Sequence, residues 1–274
     1  MDRSSRVIRL ACLVGALSLA ACASQGHKQE AAAAPGGEQK SEKPLITRSA
    51  VFFPGETADL ELYQKYVYPD APNGVQMTYR SKALPEARID FFVFVLGRGS
   101  QAQGLKAGDE RMRYEIQAAT KAGKYEDLKF TDESDFPVTE ADGSTLPGRR
   151  LLLTMNGDGR PLASAGYMFY KQLYLIEIRI TDAAKAEDML RQVGDQAARQ
   201  VVPLIHILNE GDCQNVTAYV GDNVTPQSLL AAMQDGIKRS EADGCPTHDL
   251  KPADFQPKEG EDVLMLNYKS EDWR

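Results

Sequence analysis

Histidine and cysteine are both scarce in this chain, and each shortage narrows the chemistry that it can support. The 274 residues include three histidines and four cysteines. Histidine is the commonest proton acceptor for catalysis near neutral pH. Only His206 and His248 fall in the part of the sequence that predicts a folded domain, and neither lies near a plausible nucleophile. We therefore expect no catalytic residue, and a non-enzymatic protein rather than an enzyme.

Complete motifs for metal, nucleotide or hydrolase chemistry are also lacking. No two histidines have the i, i+4 spacing of a metal site, and Asn156–Gly159 lacks the spacing and the final glutamate of a calcium loop. Gly99–Lys106 resembles a Walker A loop, but its lysine comes one residue late and no serine or threonine follows it. We interpret it as a flexible, glycine-rich loop. Ser164 lies in a strand pattern rather than in a nucleophile elbow. The sequence predicts no metal and no cofactor.

Basic residues are outnumbered, which disfavours anionic partners. The chain has 32 lysines and arginines against 39 aspartates and glutamates. Residues 1–21 hold three of the arginines and one aspartate, so the rest of the chain has 29 basic and 38 acidic residues, a net charge of −9. Nucleic acids and anionic lipid head groups call for basic patches. We therefore expect no nucleic-acid partner.

The apolar run near the start of the chain is too short for a transmembrane helix. Leu10–Leu19 follows a basic segment that contains Arg3, Arg6 and Arg9, and small and polar residues come after it. A helix that spans a bilayer needs about 20 apolar residues. The layout instead predicts a secretory signal peptide over residues 1–21.

The end of that run, Leu19-Ala20-Ala21-Cys22, resembles the lipobox of bacterial lipoproteins. The resemblance implies that Cys22 carries a diacylglycerol thioether, that the chain is cut before it, and that its new amine is acylated. Two or more acyl chains give stable attachment to a membrane. Ala23 stands where an aspartate would resemble the inner-membrane retention signal, which implies the outer membrane, facing the periplasm. An ordinary cleaved signal, with Cys22 as a bystander, is the alternative.

Loss of the signal and lipidation of Cys22 would leave two cysteines, Cys213 and Cys245. Both lie beside turn residues rather than in apolar runs, and an oxidising envelope favours their pairing. Closing this loop would stabilise the fold by about 3–4 kcal/mol on the chain-entropy model. Two buried free thiols are the alternative. The wide spacing is typical of a structural disulfide rather than of a redox-active C-x-x-C pair.

Composition divides the chain into four segments. Residues 1–21 are the signal peptide, and residues 22–45 are the lipidated cysteine and a flexible tether that has almost nothing to bury. Residues 46–210 predict an α/β sheet domain. Residues 211–274 predict a C-terminal extension that the disulfide would hold.

Strands are predicted where apolar residues alternate or run continuously between turn residues. The strongest is Arg88–Leu96, which is apolar on both faces, as expected of a central strand. In Leu173–Thr181, Glu177 and Arg179 point away from an apolar face. The other predicted strands are Val51–Phe53, Val75–Arg80, an edge strand or loop at Asp127–Phe136, Arg150–Met155 and Leu162–Tyr170 joined by a turn at Asn156-Gly157, Val216–Val220 and Val263–Tyr268.

Three helices are predicted from apolar residues at helical spacing. The first is Asp109–Lys121. The second is Asp182–Leu208, with its first residue as the N-cap and with a kink or a new start at Pro203. The third is Pro226–Glu241, with Thr225 as its cap and an apolar face made by Leu229, Met233 and Ile237.

The order of these elements resembles the PsbP/Mog1 class over Val51–Leu208. The resemblance rests on that order and on the meander and helix at 150–208, and it includes no motif residue. It therefore implies a fold and no activity. We expect an α+β protein, mainly an antiparallel sheet with helices packed against it, plus a disulfide-stapled C-terminal extension.

Together, these features predict a membrane-anchored lipoprotein of the bacterial cell envelope that acts as a binding or scaffolding module. Its partners would be the membrane, through the lipid, and another envelope component. The alternative is an envelope hydrolase or another enzyme with an unrecognised site. A pocket with converging acidic residues and a histidine would favour the enzyme, whereas a flat, exposed apolar patch would favour the binding module.

Overall fold

A computed structural model of the protein describes residues 45–216, 218 and 224–273. The predicted signal peptide, Cys22 and tether lie outside these residues, as does most of the strand predicted at Val216–Val220. The described helices, in chain order, are α1 (Gln101–Lys121), α2 (Glu187–Val201) and α3 (Pro226–Ala242). The described strands are β1 (Arg48–Pro54), β2 (Leu60–Val67), β3 (Val75–Ser81), β4 (Arg88–Val95), β5 (Glu126–Asp135), β6 (Val138–Thr139), β7 (Thr145–Leu146), β8 (Gly148–Gly157), β9 (Arg160–Lys171), β10 (Tyr174–Ala183), β11 (His206–Glu210) and β12 (Glu261–Asn267).

Seven strands form one antiparallel sheet in the order β2-β3-β4-β10-β9-β8-β5. A second antiparallel sheet has β1 between β11 and β12, and β6 pairs with β7. The predicted α+β class is thereby confirmed. Because β12 pairs with β1, the last described strand belongs to the same sheet as the first.

One face of the large sheet packs against α2 and the small sheet. In β10, Ile176, Ile178 and Ile180 point to this face, as the period-two pattern predicts. The apolar stripe of α2 lies over β9 and β10. Ser49 of the small sheet lies 2.6 Å from the Tyr174 hydroxyl, and both groups are buried. These contacts make one apolar core between the two sheets.

The opposite face of the large sheet packs against α1, and two glycines allow the close approach. A Cβ at Gly104 would lie 2.2 Å from Cγ of Tyr170, and one at Gly108 would lie 2.6 Å from a methyl carbon of Leu175. Neither distance leaves room for a side chain. The glycines at this helical spacing therefore bring the first half of α1 directly onto the sheet.

The first helix begins eight residues before its predicted start. Ser100 is its N-cap, and the Gln103 side chain accepts a hydrogen bond from the Ser100 amide, which completes a capping box. The interpretation of Gly99–Lys106 as a flexible loop is therefore wrong. Gly104 of this segment and Gly108 just beyond it serve helix packing, and glycines inside a helix weakened the sequence signal.

The second helix is shorter than predicted at both ends. Strand β10 continues to Ala183, so Asp182 is not an N-cap, and α2 begins only at Glu187. The helix ends at Val201 because Pro203 lacks the amide hydrogen that would continue it. The residues beyond Pro203 form β11 and pair with β1. The strand buries Ile207, whereas Leu204, which belonged to the predicted helical stripe, is 47% exposed.

The meander β8-β9-β10 is confirmed, but its first turn is displaced. Strand pairing continues as far as Gly157 and Arg160, so the turn residues are Asp158 and Gly159 instead of Asn156 and Gly157. Both turn residues have positive φ, 50° and 70°, as a tight two-residue hairpin loop requires. The segment predicted as an edge strand or loop at Asp127–Phe136 is the edge strand β5. The other edge strand, β2, was not predicted from the sequence.

Helix α3 has the predicted extent and the predicted Thr225 cap. Its apolar face, however, is largely exposed: Leu229 is 42% and Met233 46% accessible. Only Gly236 and Ser240 are buried within the helix. A Cys213–Cys245 disulfide, with its sulfurs 2.12 Å apart, holds the chain just after α3. The disulfide in the predicted fold is thereby confirmed.

Candidate functional site

Helix α1 covers only part of its face of the large sheet, and a groove lies where that cover ends. The helix packs mainly on β8, β9 and β10, and it meets β4 at the Phe94 ring, which packs with Met112 and Arg111. The groove, which we call the α1 groove, has a volume of about 290 Å³. Its walls are formed by Tyr68, Asn73, Phe92, Phe94, Arg111, Glu115, Glu177 and Arg179.

A buried carboxylate, Glu177, lies at the floor of the α1 groove. It belongs to β10, which is flanked by strands on both sides, and it lies opposite Phe92 of β4 and Met168 of β9. Glu177 is 1% exposed. One of its oxygens, Oε2, is buried and has no hydrogen-bond partner among the described residues. An unpaired buried polar atom usually costs about 1–3 kcal/mol, and more when it is charged.

Arg179 joins Glu177 to a second carboxylate, Glu115 of α1, which also accepts a hydrogen bond from Arg111. Arg179 Nε donates a hydrogen bond to Oε1 of Glu177, and its Nη2 donates to Oε2 of Glu115. Arg111 Nε donates to Oε1 of Glu115 at 2.8 Å. The four side chains form a connected network that reaches from the sheet to the helix. Its formal charges cancel, since it contains two carboxylates and two guanidiniums.

The two carboxylates have pKa values displaced in opposite directions. Burial raises the pKa of Glu177, and the neighbouring Arg179 only partly offsets this effect. Burial also acts to raise the pKa of Glu115, but hydrogen bonds from Arg179 and Arg111 outweigh it and lower the pKa overall. The network therefore contains one carboxylate that resists ionisation and one that favours it.

Aromatic rings complete the walls of the α1 groove. The guanidinium of Arg111 lies 3.7 Å from the centre of the Phe94 ring, and that of Arg179 lies 5.4 Å from the Phe92 ring. Each is a cation–π contact that fixes the guanidinium plane. At the open end, the Tyr68 hydroxyl donates to Oε1 of Gln76 at 3.0 Å. The groove therefore offers flat apolar surface beside charged groups.

The histidines lie elsewhere. His206 is on β11 rather than on a helix, half-buried, with its ring stacked on Phe52 at a centroid distance of 4.5 Å. Burial lowers its pKa, which favours the neutral ring. His248 is exposed. Neither residue lines the α1 groove.

The other residues considered from the sequence have structural contacts. Ser164 lies within β9 and donates to the Ile180 carbonyl at 3.0 Å, so it is not presented as a nucleophile. Within the described ranges, no three histidine, cysteine, aspartate or glutamate side chains group as metal ligands.

A larger cavity, of about 470 Å³, lies beside the first half of α1. Asp109 and Arg149 line it, and each has one buried atom without a hydrogen-bond partner among the described residues. Both side chains remain partly exposed, 21% for Asp109 and 37% for Arg149. Water can reach these side chains, so the α1 groove is the stronger candidate site.

The sequence pattern did not identify Glu177 and Arg179 as site residues. It placed them on the non-core face of β10, where charged residues are normally solvated. The signal that would have found them is their position in a strand between two apolar strands, with an amphipathic helix available to cover that face. A charged pair in that setting is buried on both sides and needs internal partners.

Comparisons with known proteins add a fold likeness and no function. No protein-family model matches the sequence, and no curated protein matches it. The structure is similar to cyanobacterial PsbP (CyanoP) from Synechocystis, at 12% identity over 56% of this chain and 94% of that chain, with a TM-score of 0.38. It is also similar to a Pseudomonas aeruginosa protein of unknown function, at 12% identity over 53% of this chain and 82% of that chain, with a TM-score of 0.29.

None of the helices in the described part of the chain has the length and hydropathy needed to cross a bilayer.

Proposed function

We propose that this protein is a lipoprotein of the bacterial envelope, anchored through Cys22, whose folded domain binds a small envelope component in the α1 groove. The observation that carries the proposal is the buried Glu177 carboxylate at the floor of that groove, with Oε2 unpaired among the described residues. A buried acceptor without a partner is costly to the free protein. A ligand that supplies a hydrogen-bond donor recovers that cost on binding.

The anchor and the groove serve one purpose in this proposal. The lipobox at residues 19–22 would hold the domain at the outer membrane, and a tether of about 23 residues would span roughly 25 Å as a flexible coil. The domain could then reorient within the periplasm while it stays at the membrane. Binding of an envelope component at a fixed location is the expected role.

Affinity selection from an envelope extract tests the proposal. The purified protein and its Glu177→Gln variant would be equilibrated with the small-molecule fraction of an envelope extract, and retained compounds identified by mass spectrometry. Glu110→Gln is the control for removal of a carboxylate, because Glu110 lies on α1, is 67% exposed and does not line the groove. We expect a compound that the wild type and E110Q retain and that E177Q loses. Equal retention by all three proteins, or no retained compound, would overturn the proposal.

An envelope hydrolase is the second candidate function, and one observation favours it. Glu115 and Glu177 are bridged by one guanidinium and have pKa values displaced in opposite directions. Such a pair can supply an acid and a base. The two functions differ in what happens to the retained compound. Recovery unchanged supports binding, whereas conversion by the wild type and not by E177Q would establish the hydrolase.

A further inference from the structure

The free hydrogen-bonding groups of the α1 groove restrict the ligand that it can accept. Arg179 is the more committed of the two arginines, since its Nε donates to Glu177 and its Nη2 donates to Glu115, which leaves one nitrogen, Nη1. Arg111 donates only through Nε, to Glu115, and its two Nη groups make no hydrogen bond to the described residues. The side chain of Arg111 is 39% exposed. An anion entering the groove would therefore meet Arg111.

The free acceptor oxygen at the groove floor, Oε2 of Glu177, favours a positively charged ligand group. Oε2 of Glu177 is free of partners among the described residues, and its other oxygen already accepts from Arg179. An ammonium group donates to a carboxylate oxygen in a charge-assisted bond, which is about twice as strong as a neutral one. Because Oε2 exposes less than 1 Å² of surface, a small side-chain movement at the floor must accompany binding.

Charge balance excludes ligands with only one of these groups. Glu115, Glu177, Arg111 and Arg179 are neutral together, so a lone anion or a lone cation would bring an uncompensated charge into a half-buried site. Such a charge is costly because desolvation is not repaid. A ligand with one positive and one negative group leaves the site neutral and pairs both free positions.

We infer that the ligand of the α1 groove is a small zwitterion of the amino-acid type, with its ammonium group on Glu177, its carboxylate on Arg111 and its side chain against the ring of Phe92, which is partly exposed. This inference rests on the proposed function and names its ligand class. The groove volume of about 290 Å³ is at the lower end of ligand pockets, roughly 300–1,000 Å³. It suits one amino acid rather than a polymer.

Calorimetric titration with free amino acids tests the inference. The probes are L-leucine and L-phenylalanine, together with their methyl esters, which lack the carboxylate, and their N-acetyl derivatives, which lack the ammonium group. We expect at least one free amino acid to bind, and both of its blocked derivatives to bind at least tenfold more weakly. Arg111→Gln should weaken binding of the free amino acid and leave the affinity for its methyl ester unchanged. Glu177→Gln should weaken binding of the free amino acid and leave the affinity for its N-acetyl derivative unchanged.

The outcomes separate this inference from the function beneath it. If neither amino acid binds, or if the blocked derivatives bind as tightly as the free amino acid, the inference that the ligand is a zwitterion is overturned. If the envelope extract still yields a compound that depends on Glu177, the proposed binding function stands with another ligand class. If neither experiment detects a ligand, both proposals fall. Glu110→Gln again serves as the control, and it should match the wild type with every probe.

Discussion

Glu177 and Arg179 lie two residues apart on β10, and Arg179 Nε donates a hydrogen bond to one carboxylate oxygen of Glu177 while the other oxygen has no partner among the described residues. Residues at this spacing share one face of a strand. That face is covered by α1 over only part of the sheet. A pair that would be solvated on an open sheet face is therefore enclosed at the edge of a groove, and it has become the centre of a charged network.

Glu177→Gln should alter how stability depends on pH. Burial raises the pKa of Glu177 above its ordinary value of 4.5, so the folded protein holds the proton more tightly than the unfolded chain. The contribution of Glu177 is thus fully present below the unfolded pKa and is lost as pH rises through the folded pKa. Gln cannot titrate, so the unfolding free energy of the variant relative to wild type should rise over that interval. Urea unfolding at about pH 4, 6 and 8 measures it, and a constant difference would contradict the assignment.

Glu115→Gln should show the opposite trend. Arginine hydrogen bonds lower the pKa of Glu115 below its ordinary value of 4.5, despite its burial. Its contribution is present above the unfolded pKa and is lost as pH falls through the folded pKa. The advantage of the wild type over this variant should therefore shrink as the solution is acidified below about pH 4.5. Trends of the same sign for the two variants would disprove the opposite displacements.

Gly104→Ala should loosen the contact between α1 and the sheet. The new Cβ would lie 2.2 Å from Cγ of Tyr170, and overpacking of this kind typically costs about 1–3 kcal/mol. Gly99→Ala is the control, because its nearest neighbour, Oε1 of Gln103, is 3.5 Å away. Thermal melting compares the two variants. A Gly104 variant as stable as the control would mean that α1 does not lie this close to Tyr170.

The disulfide should be quantitatively formed in the mature protein. Cys213 and Cys245 are 32 residues apart in sequence, and on the chain-entropy model closing such a loop stabilises a fold by about 3–4 kcal/mol. Cys245→Ala should therefore melt at a lower temperature and still fold. Thiol titration of the mature protein, unfolded without a reductant, gives the direct answer. Two reactive thiols would show that the pair is reduced.

Cys22→Ser should release the protein from membranes. The thiol is the acyl acceptor if residues 19–22 are a lipobox, so the variant cannot receive the diacylglycerol group. Membrane fractionation and labelling with radioactive palmitate measure this. Continued membrane association with normal labelling would exclude the lipobox, and the ordinary signal peptide would take its place.

Much of the fold could be predicted because its strands alternate clearly. The face formed by Ile176, Ile178 and Ile180 follows directly from period two, and the meander follows from three such patterns in succession. Strand β2 was not predicted because its apolar and polar residues do not alternate, and most of its residues are exposed, as an edge strand permits. The end of α2 was misplaced because Val201 and Leu208 keep helical spacing across Pro203, although the chain changes to a strand between them.

The candidate site was harder to predict than the fold. The alternating pattern of β10 correctly places Glu177 and Arg179 on the sheet face opposite the main core. The local sequence does not indicate, however, that α1 covers this face only up to these two residues. That edge depends on Gly104 and Gly108, which set how closely and where the helix lies on β9 and β10. Burial of a charged pair is thus decided by tertiary packing, which the sequence pattern of one strand does not contain.

The most direct test of the account is to map where a ligand binds. Side-chain signals of Arg111 and Arg179, and the backbone amides of Glu115 and Glu177, can be followed by isotope-edited NMR while the envelope small-molecule fraction is added to the folded domain. We predict that these signals shift together and saturate, and that signals from α3 and from the His206–Phe52 stack stay in place. Saturating shifts confined to another surface, or no shifts in the α1 groove, would contradict the claim that this groove is the binding site.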